Sequence, residues 1–103
     1  MTCAIRCALS FLLLALLAGA AVAADVENGA QLAQRWCASC HIVAPNQQGP
    51  TSEAPPFARI ANAPDFNAGK LALFLLDPHP KMPDMGLSRT AAQDLAAYIA
   101  TLR

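Results

Sequence analysis

The chain has 103 residues, seven basic and seven acidic side chains and a formal charge of zero, with 55% hydrophobic and only 14% charged residues. That length holds one small domain and excludes a multidomain enzyme. The sparse, balanced charge disfavours grip on a nucleic-acid backbone, and the apolar content excludes a disordered tail.

The N-terminus reads as a secretory leader spanning residues 1–24. Arg6 supplies a positive start, Ala8 to Ala18 is apolar apart from Ser10, and small residues from Gly19 to Ala24 precede the first acid, Asp25. This is the order of a signal peptide. Cleavage after Ala23 satisfies A-x-A with Ala21. Cleavage after Ala24 is preferred slightly, because the mature chain then begins at Asp25. The competing reading is an uncleaved anchor, but Ala8 to Ala24 falls short of the ~20 residues that span a bilayer. Removing residues 1–24 leaves 79, with six bases against seven acids and only two cysteines, Cys37 and Cys40. So small a domain is marginal on its own core, and a metal or large cofactor is expected to help hold it.

In the mature part (25–103), helices and loops are predicted, and no strands. Asp25 caps a first helix to about Trp36, with Glu27 placed well in its first turn. Leu32 and Trp36 share one face, while Gly29 and Ala33 form a small-residue strip for close helix approach. Ile42 to Pro56 is a proline- and glycine-broken loop. Phe57 to Ala61 forms a short helical turn. Asn67 to about Leu76 is a second clear helix, with Leu71, Phe74 and Leu75 at i, i+3 and i+4. A loop from Asp77 to Gly86 holds Pro78, Pro80 and Pro83. Ser88 then caps a last helix to about Leu102, whose apolar face is Ala91, Leu95, Tyr98, Ile99 and Leu102.

The chemistry concentrates in Cys37-Ala38-Ser39-Cys40-His41. C-x-x-C-H is the attachment motif of c-type haem. Cysteines three apart lie about one helical turn apart, so both sulfurs reach one porphyrin edge, and the next residue offers an imidazole to iron. Three other uses are weaker. A thioredoxin-like W-C-x-x-C needs a βαβ-rich domain. A zinc site lacks its second ligand pair. A disulfide over so small a loop constrains little. The sixth iron ligand is expected from the second proline loop, which offers Met82, Met85 and His79. Met82 is preferred, because Pro80 and Pro83 bracket it and stiffen the backbone. A Met thioether opposite His stabilises Fe(II) and closes the last coordination site.

Over nearly its whole mature length the chain resembles the bacterial class I (monohaem) cytochrome c family. The residues that carry the likeness are Gly29, Cys37 to His41, Gly49-Pro50, Met82-Pro83 and Asp94-Leu95-Ala96-Ala97-Tyr98-Ile99. The resemblance implies an all-α fold, three main helices plus loops around one covalently bound haem c. It implies that the first and last helices cross at Gly29, with Leu95 and Tyr98 nearby. It also implies that Pro50 offers its carbonyl to the Nδ1–H of His41, orienting the ring. Cofactor-binding residues are then Cys37, Cys40, His41, Met82 and Pro50, and the iron ligands are His41 and Met82. Ile42, Phe57, Ile60, Phe66, Leu71, Phe74 and Leu75 are expected to wall the haem.

The function implied is a periplasmic one-electron carrier between redox proteins, a monomer, with no nucleic acid and no membrane insertion once the leader is cut. No residue set for substrate chemistry is visible, so it is not read as an enzyme. The alternatives are a five-coordinate haem protein with peroxidase or gas-binding activity, and a dedicated electron-transfer subunit of a periplasmic dehydrogenase. With Lys70 and Lys81 the only mature lysines, a mostly apolar and transient docking contact fits better than a basic face.

Overall fold

The computed structural model describes residues 22–49, 54–78 and 81–103. Most of the expected leader, together with Pro50 and His79, therefore lies outside the described residues. Within them the regular structure is wholly helical: α1 (Val26–Trp36), α2 (Phe57–Ala61), α3 (Ala68–Leu76) and α4 (Arg89–Ala100). Among the described residues no helix is long and apolar enough to cross a membrane.

The three longer helices start where a short polar side chain accepts an otherwise unpaired backbone N–H. Asp25 accepts from Asn28 N–H at 2.9 Å, Asn67 from Lys70 N–H at 2.9 Å and Ser88 from Ala91 N–H at 3.0 Å. Each such cap is worth about 1 kcal/mol. The short α2 has no side-chain cap. Its first N–H, from Phe57, instead donates to Ile42 O at 2.9 Å, fastening this helix to the chain just beyond His41.

The central element is α4, which packs against α1, α2 and α3. Its buried residues are Ala92, Asp94, Leu95, Ala96 and Ile99, a wider band than the expected stripe. Ala91 and Tyr98 are only partly buried. The added alanines follow from α4 having neighbours on more than one side. On α1 the buried face is the small-residue strip of Gly29 and Ala33. Trp36, expected to share an apolar face with Leu32, is half exposed at 49%.

The α1–α4 crossing is set by backbone approach. A Cβ placed on Gly29 would lie 2.1 Å from Asp94 O and 2.8 Å from Tyr98 Cβ. Hydrogen bonds hold the same crossing: Asp25 N–H donates to Asp94 Oδ1 at 2.7 Å, and the Asn28 amide donates to Asp94 Oδ2 at 2.8 Å. One turn along α4, the Tyr98 hydroxyl donates to Val43 O, reaching into the loop after His41. Val43 is fully buried, and with Leu95 and Ile99 it is one of the largest side chains shut off from solvent.

Replacing Gly29→Ala is expected to cost about 3 kcal/mol or more, because the clash is with backbone; a denaturant titration of the haem-loaded protein measures it. Burial pushes the Tyr98 phenol above its usual pKa of 10.0. The folded state then keeps a proton that the unfolded chain releases. Stability from this group is full below pH 10 and is lost as pH rises through the folded value. Tyr98→Phe should remove that alkaline component and flatten the stability–pH curve there.

Candidate functional site

The cysteine motif is the continuation of α1. Past Trp36, Cys37 N–H and Ala38 N–H both donate to Ala33 O, at 2.9 and 3.1 Å. Cys40 N–H and His41 N–H then both donate to Cys37 O, at 3.1 and 2.8 Å. The two cysteines thus sit one turn apart and His41 follows directly. Cys37 is buried and Cys40 exposed, and the two are not bridged. Burial pushes the Cys37 thiol up to about 11. At neutral pH it is a neutral thiol, unlike the depressed-pKa nucleophile of a dithiol oxidoreductase.

His41 is held on two sides. Its Nδ1 lies 2.7 Å from Pro55 O. Its ring meets Phe57 with centroids 5.2 Å apart, tilted by 49°. Donation from Nδ1–H to that carbonyl leaves Nε2 as the metal-facing nitrogen. The carbonyl expected here was that of Pro50, which lies outside the described residues; the structure assigns the contact to Pro55. The reason is local. The bond from Phe57 N–H to Ile42 O draws the residues just ahead of α2 against His41, and Pro55 is two residues before Phe57.

Cys37, His41 and Met82 line one cleft. The remaining walls are Pro55, Phe57, Ile60, Leu71, Phe74, Leu75, Leu95 and Ile99. Two of the expected wall residues are elsewhere. Ile42 borders a separate groove with Pro45, Pro56 and Leu102. Phe66 packs on the core under the Arg103 guanidinium, 5.6 Å from its ring centroid. Leu95 and Ile99, read from sequence as helix-packing residues, also form cleft wall. Met85 is partly buried but is not part of the cleft lining.

This donor set fits a haem c. Two cysteines one turn apart, an imidazole with its tautomer set and a thioether from a second loop match its covalent and axial needs, and the walls are apolar. Among the described residues no three His, Cys, Asp or Glu side chains gather as a metal cluster.

Sequence reasoning missed Gln47. Its Oε1 accepts from Val43 N–H at 2.8 Å, while its Nε2 donates to His41 O at 3.0 Å and to Ala38 O at 3.3 Å. One side chain thus ties the loop back across the cysteine motif. Nothing in the sequence marks a glutamine in a proline-rich loop for this role.

The model of the family described as cytochrome c oxidase, cbb3-type, subunit III, matches residues 24–99. A cytochrome c-552 of Bradyrhizobium diazoefficiens is 60% identical over 83 residues, which are 81% of this chain and 80% of that protein. No solved structure matches.

Gln47→Ala should lower stability by about 2–3 kcal/mol, at about 1 kcal/mol for each of three hydrogen bonds. Gln47→Glu keeps the acceptor for Val43 N–H and loses both donors, so it should fall between. Urea unfolding of the haem-loaded variants checks the order.

Proposed function

The chain belongs to the class I cytochrome c family, and from that premise we propose that it is an exported, single-haem, one-electron carrier whose iron is held between His41 and Met82. The observation that carries this reading is the convergence of Cys37, His41 and Met82 on one apolar cleft. Cys37 and Cys40 are the covalent anchors, through thioethers to the porphyrin. When bound, the haem iron supplies the Fe(III)/Fe(II) couple.

The chain's own residues set the conditions for that couple. The Pro55 carbonyl takes the Nδ1 proton of His41, fixes the ring and strengthens Nε2 as a donor. The Met82 thioether would hold the iron together with His41 and would favour the reduced metal. Phe57, Leu71, Leu75 and Ile99 keep water and mobile charge from the cleft. With His41 and Met82 both supplied by the chain, the iron's surroundings would change little between oxidation states. No residue need shuttle a proton, and the chain is proposed to be a carrier and not an enzyme.

Partners are proposed to be periplasmic redox proteins that dock weakly, with the protein a monomer. Phe74 lines the cleft and is 40% exposed, and its neighbour Leu73 is 69% exposed. An apolar edge of this kind suits brief contact better than long residence.

Co-expression with haem-attachment machinery should give a protein whose haem resists extraction and whose spectrum is low-spin in both oxidation states. Met82→Ala should abolish the Met–Fe(III) charge-transfer band and lower the potential by on the order of 0.1 V or more, since axial ligands are a main lever on haem potentials. It should also admit carbon monoxide to the reduced form. If Met85→Ala has those effects instead, the axial assignment is wrong. Rapid carbon monoxide binding by the unsubstituted protein would place it with five-coordinate haem proteins.

A further inference from the structure

A buried charge lies away from the cleft, where α1 meets α4. Asp94 is only 3% exposed. Its carboxylate accepts from Asp25 N–H at 2.7 Å and from the Asn28 amide at 2.8 Å. Among the described residues both donors are uncharged, so the carboxylate is hydrogen-bonded but has no counter-charge in contact. A buried carboxylate in that condition is costly. The backbone donor, Asp25, is also the residue at which the fold begins. Its side chain caps α1, whereas Val22, Ala23 and Ala24 are exposed and belong to no helix.

We propose that the leader is removed at the Ala24–Asp25 bond and that the α-ammonium so created forms a part-buried ion pair with Asp94, joining the first helix to the last. This rests on the exported-carrier reading above and adds to it the bond that is cut and the work of the new terminus. One water is consumed. The C–N bond breaks, the Ala24 carbonyl carbon gains the oxygen and departs as a carboxylate, and the Asp25 nitrogen takes up the protons. That nitrogen is already at Asp94 Oδ1, so the chain need not move.

The bond to the carboxylate is already charge-assisted on the acceptor side; a charged donor adds the missing counter-charge. Cleavage after Ala23 would not supply it. The ammonium would sit on Ala24, one Cα step of about 3.8 Å away, and a neutral amide would remain at Asp94. The acidic groups around the new terminus are Asp94 on α4, Asp25 itself and Glu27 in the first turn of α1. On α3 and α4 the residues beside Ala24 are uncharged: Ala68, Gly69, Ala72, Gln93, Ala96 and Ala97. The positive end of the α1 dipole opposes a cation there, but as a partial charge set against a full carboxylate in contact.

The test uses haem-loaded protein purified after export. Its intact mass should be that of a chain beginning at Asp25. Reductive methylation at pH 8, followed on the N-terminal peptide, should modify that α-amine at least tenfold more slowly than the α-amine of a form retaining Ala24. Asp94→Asn should raise the rate to that of the longer form. Should Asp94→Asn fail to fold, the form retaining Ala24 still decides, because both helices in it are unaltered. Equal rates in the two forms, or a leader cut at another bond, overturn the proposal alone. A haem-loaded chain that keeps its whole leader overturns the exported-carrier reading with it.

Discussion

The contact between the backbones of α1 and α4 is the constraint from which the site follows. Where Gly29 meets Asp94 O, the helices approach too closely for any Cβ. Ala33, fully buried one turn later, keeps them close. Both helices then run on into the site. The end of α1 becomes the cysteine motif, anchored by two N–H groups on Ala33 O. Past Asp94, α4 presents Leu95 and Ile99 to the cleft, and its Tyr98 hydroxyl holds Val43 O. A shift of one helix along the other would move the cysteine motif relative to its own cleft wall.

The two ligand-bearing loops are held by different means. On the His41 side the fastenings include long-range ones, Pro55 O to Nδ1, Phe57 N–H to Ile42 O and Tyr98 to Val43, and the three bonds of Gln47 add local ties. Together they fix position, ring angle and tautomer. On the Met82 side a local side-chain hydrogen bond runs from Gly86 N–H to Asp84 at 2.8 Å, beside Gly86 at φ +63°. There Pro83 stiffens the chain and Met82 packs against the core. A thioether is a weak donor and needs a loop of low conformational freedom more than a directed hydrogen bond. An imidazole has a second nitrogen whose partner changes its chemistry, so its loop is built around that partner.

The helices were legible because their signals are local. Asp25, Asn67 and Ser88 announce their own caps, and the 3.6-residue apolar spacing marks the bodies between them. The convergence of Cys37, His41 and Met82 on one cleft was legible because ligand chemistry restricts residue type. The carbonyl that orients His41 was not, since any residue has one. Pro50 and Pro55 look alike until the bond from Phe57 to Ile42 brings Pro55 in. Trp36 looked interior by hydropathy, but α1 buries its small-residue strip, because close approach at Gly29 decides which face turns inward. One available signal went unused. Asp94 lies on the inward band of α4 with Ala91, Leu95 and Tyr98, and an acid among apolar neighbours calls for a partner of its own. That partner is the start of α1, and no pattern within α4 could name it.

The distribution of apolar bulk bears on why a cofactor belongs here. Among the described residues, five of the eleven buried hydrophobic side chains are alanines: Ala33, Ala61, Ala72, Ala92 and Ala96. They allow tight helix approach but each buries little area. Of the larger apolar side chains that line the cleft, Ile60, Leu71, Phe74 and Met82 keep part of their surface open to solvent. At about 25 cal/mol per Å² that surface stabilises the fold only when something apolar covers it. A porphyrin in the cleft would cover it, and the group held for redox chemistry would then also complete the core. Thioether attachment, as proposed, would make that completion permanent in a small domain whose own interior is thin.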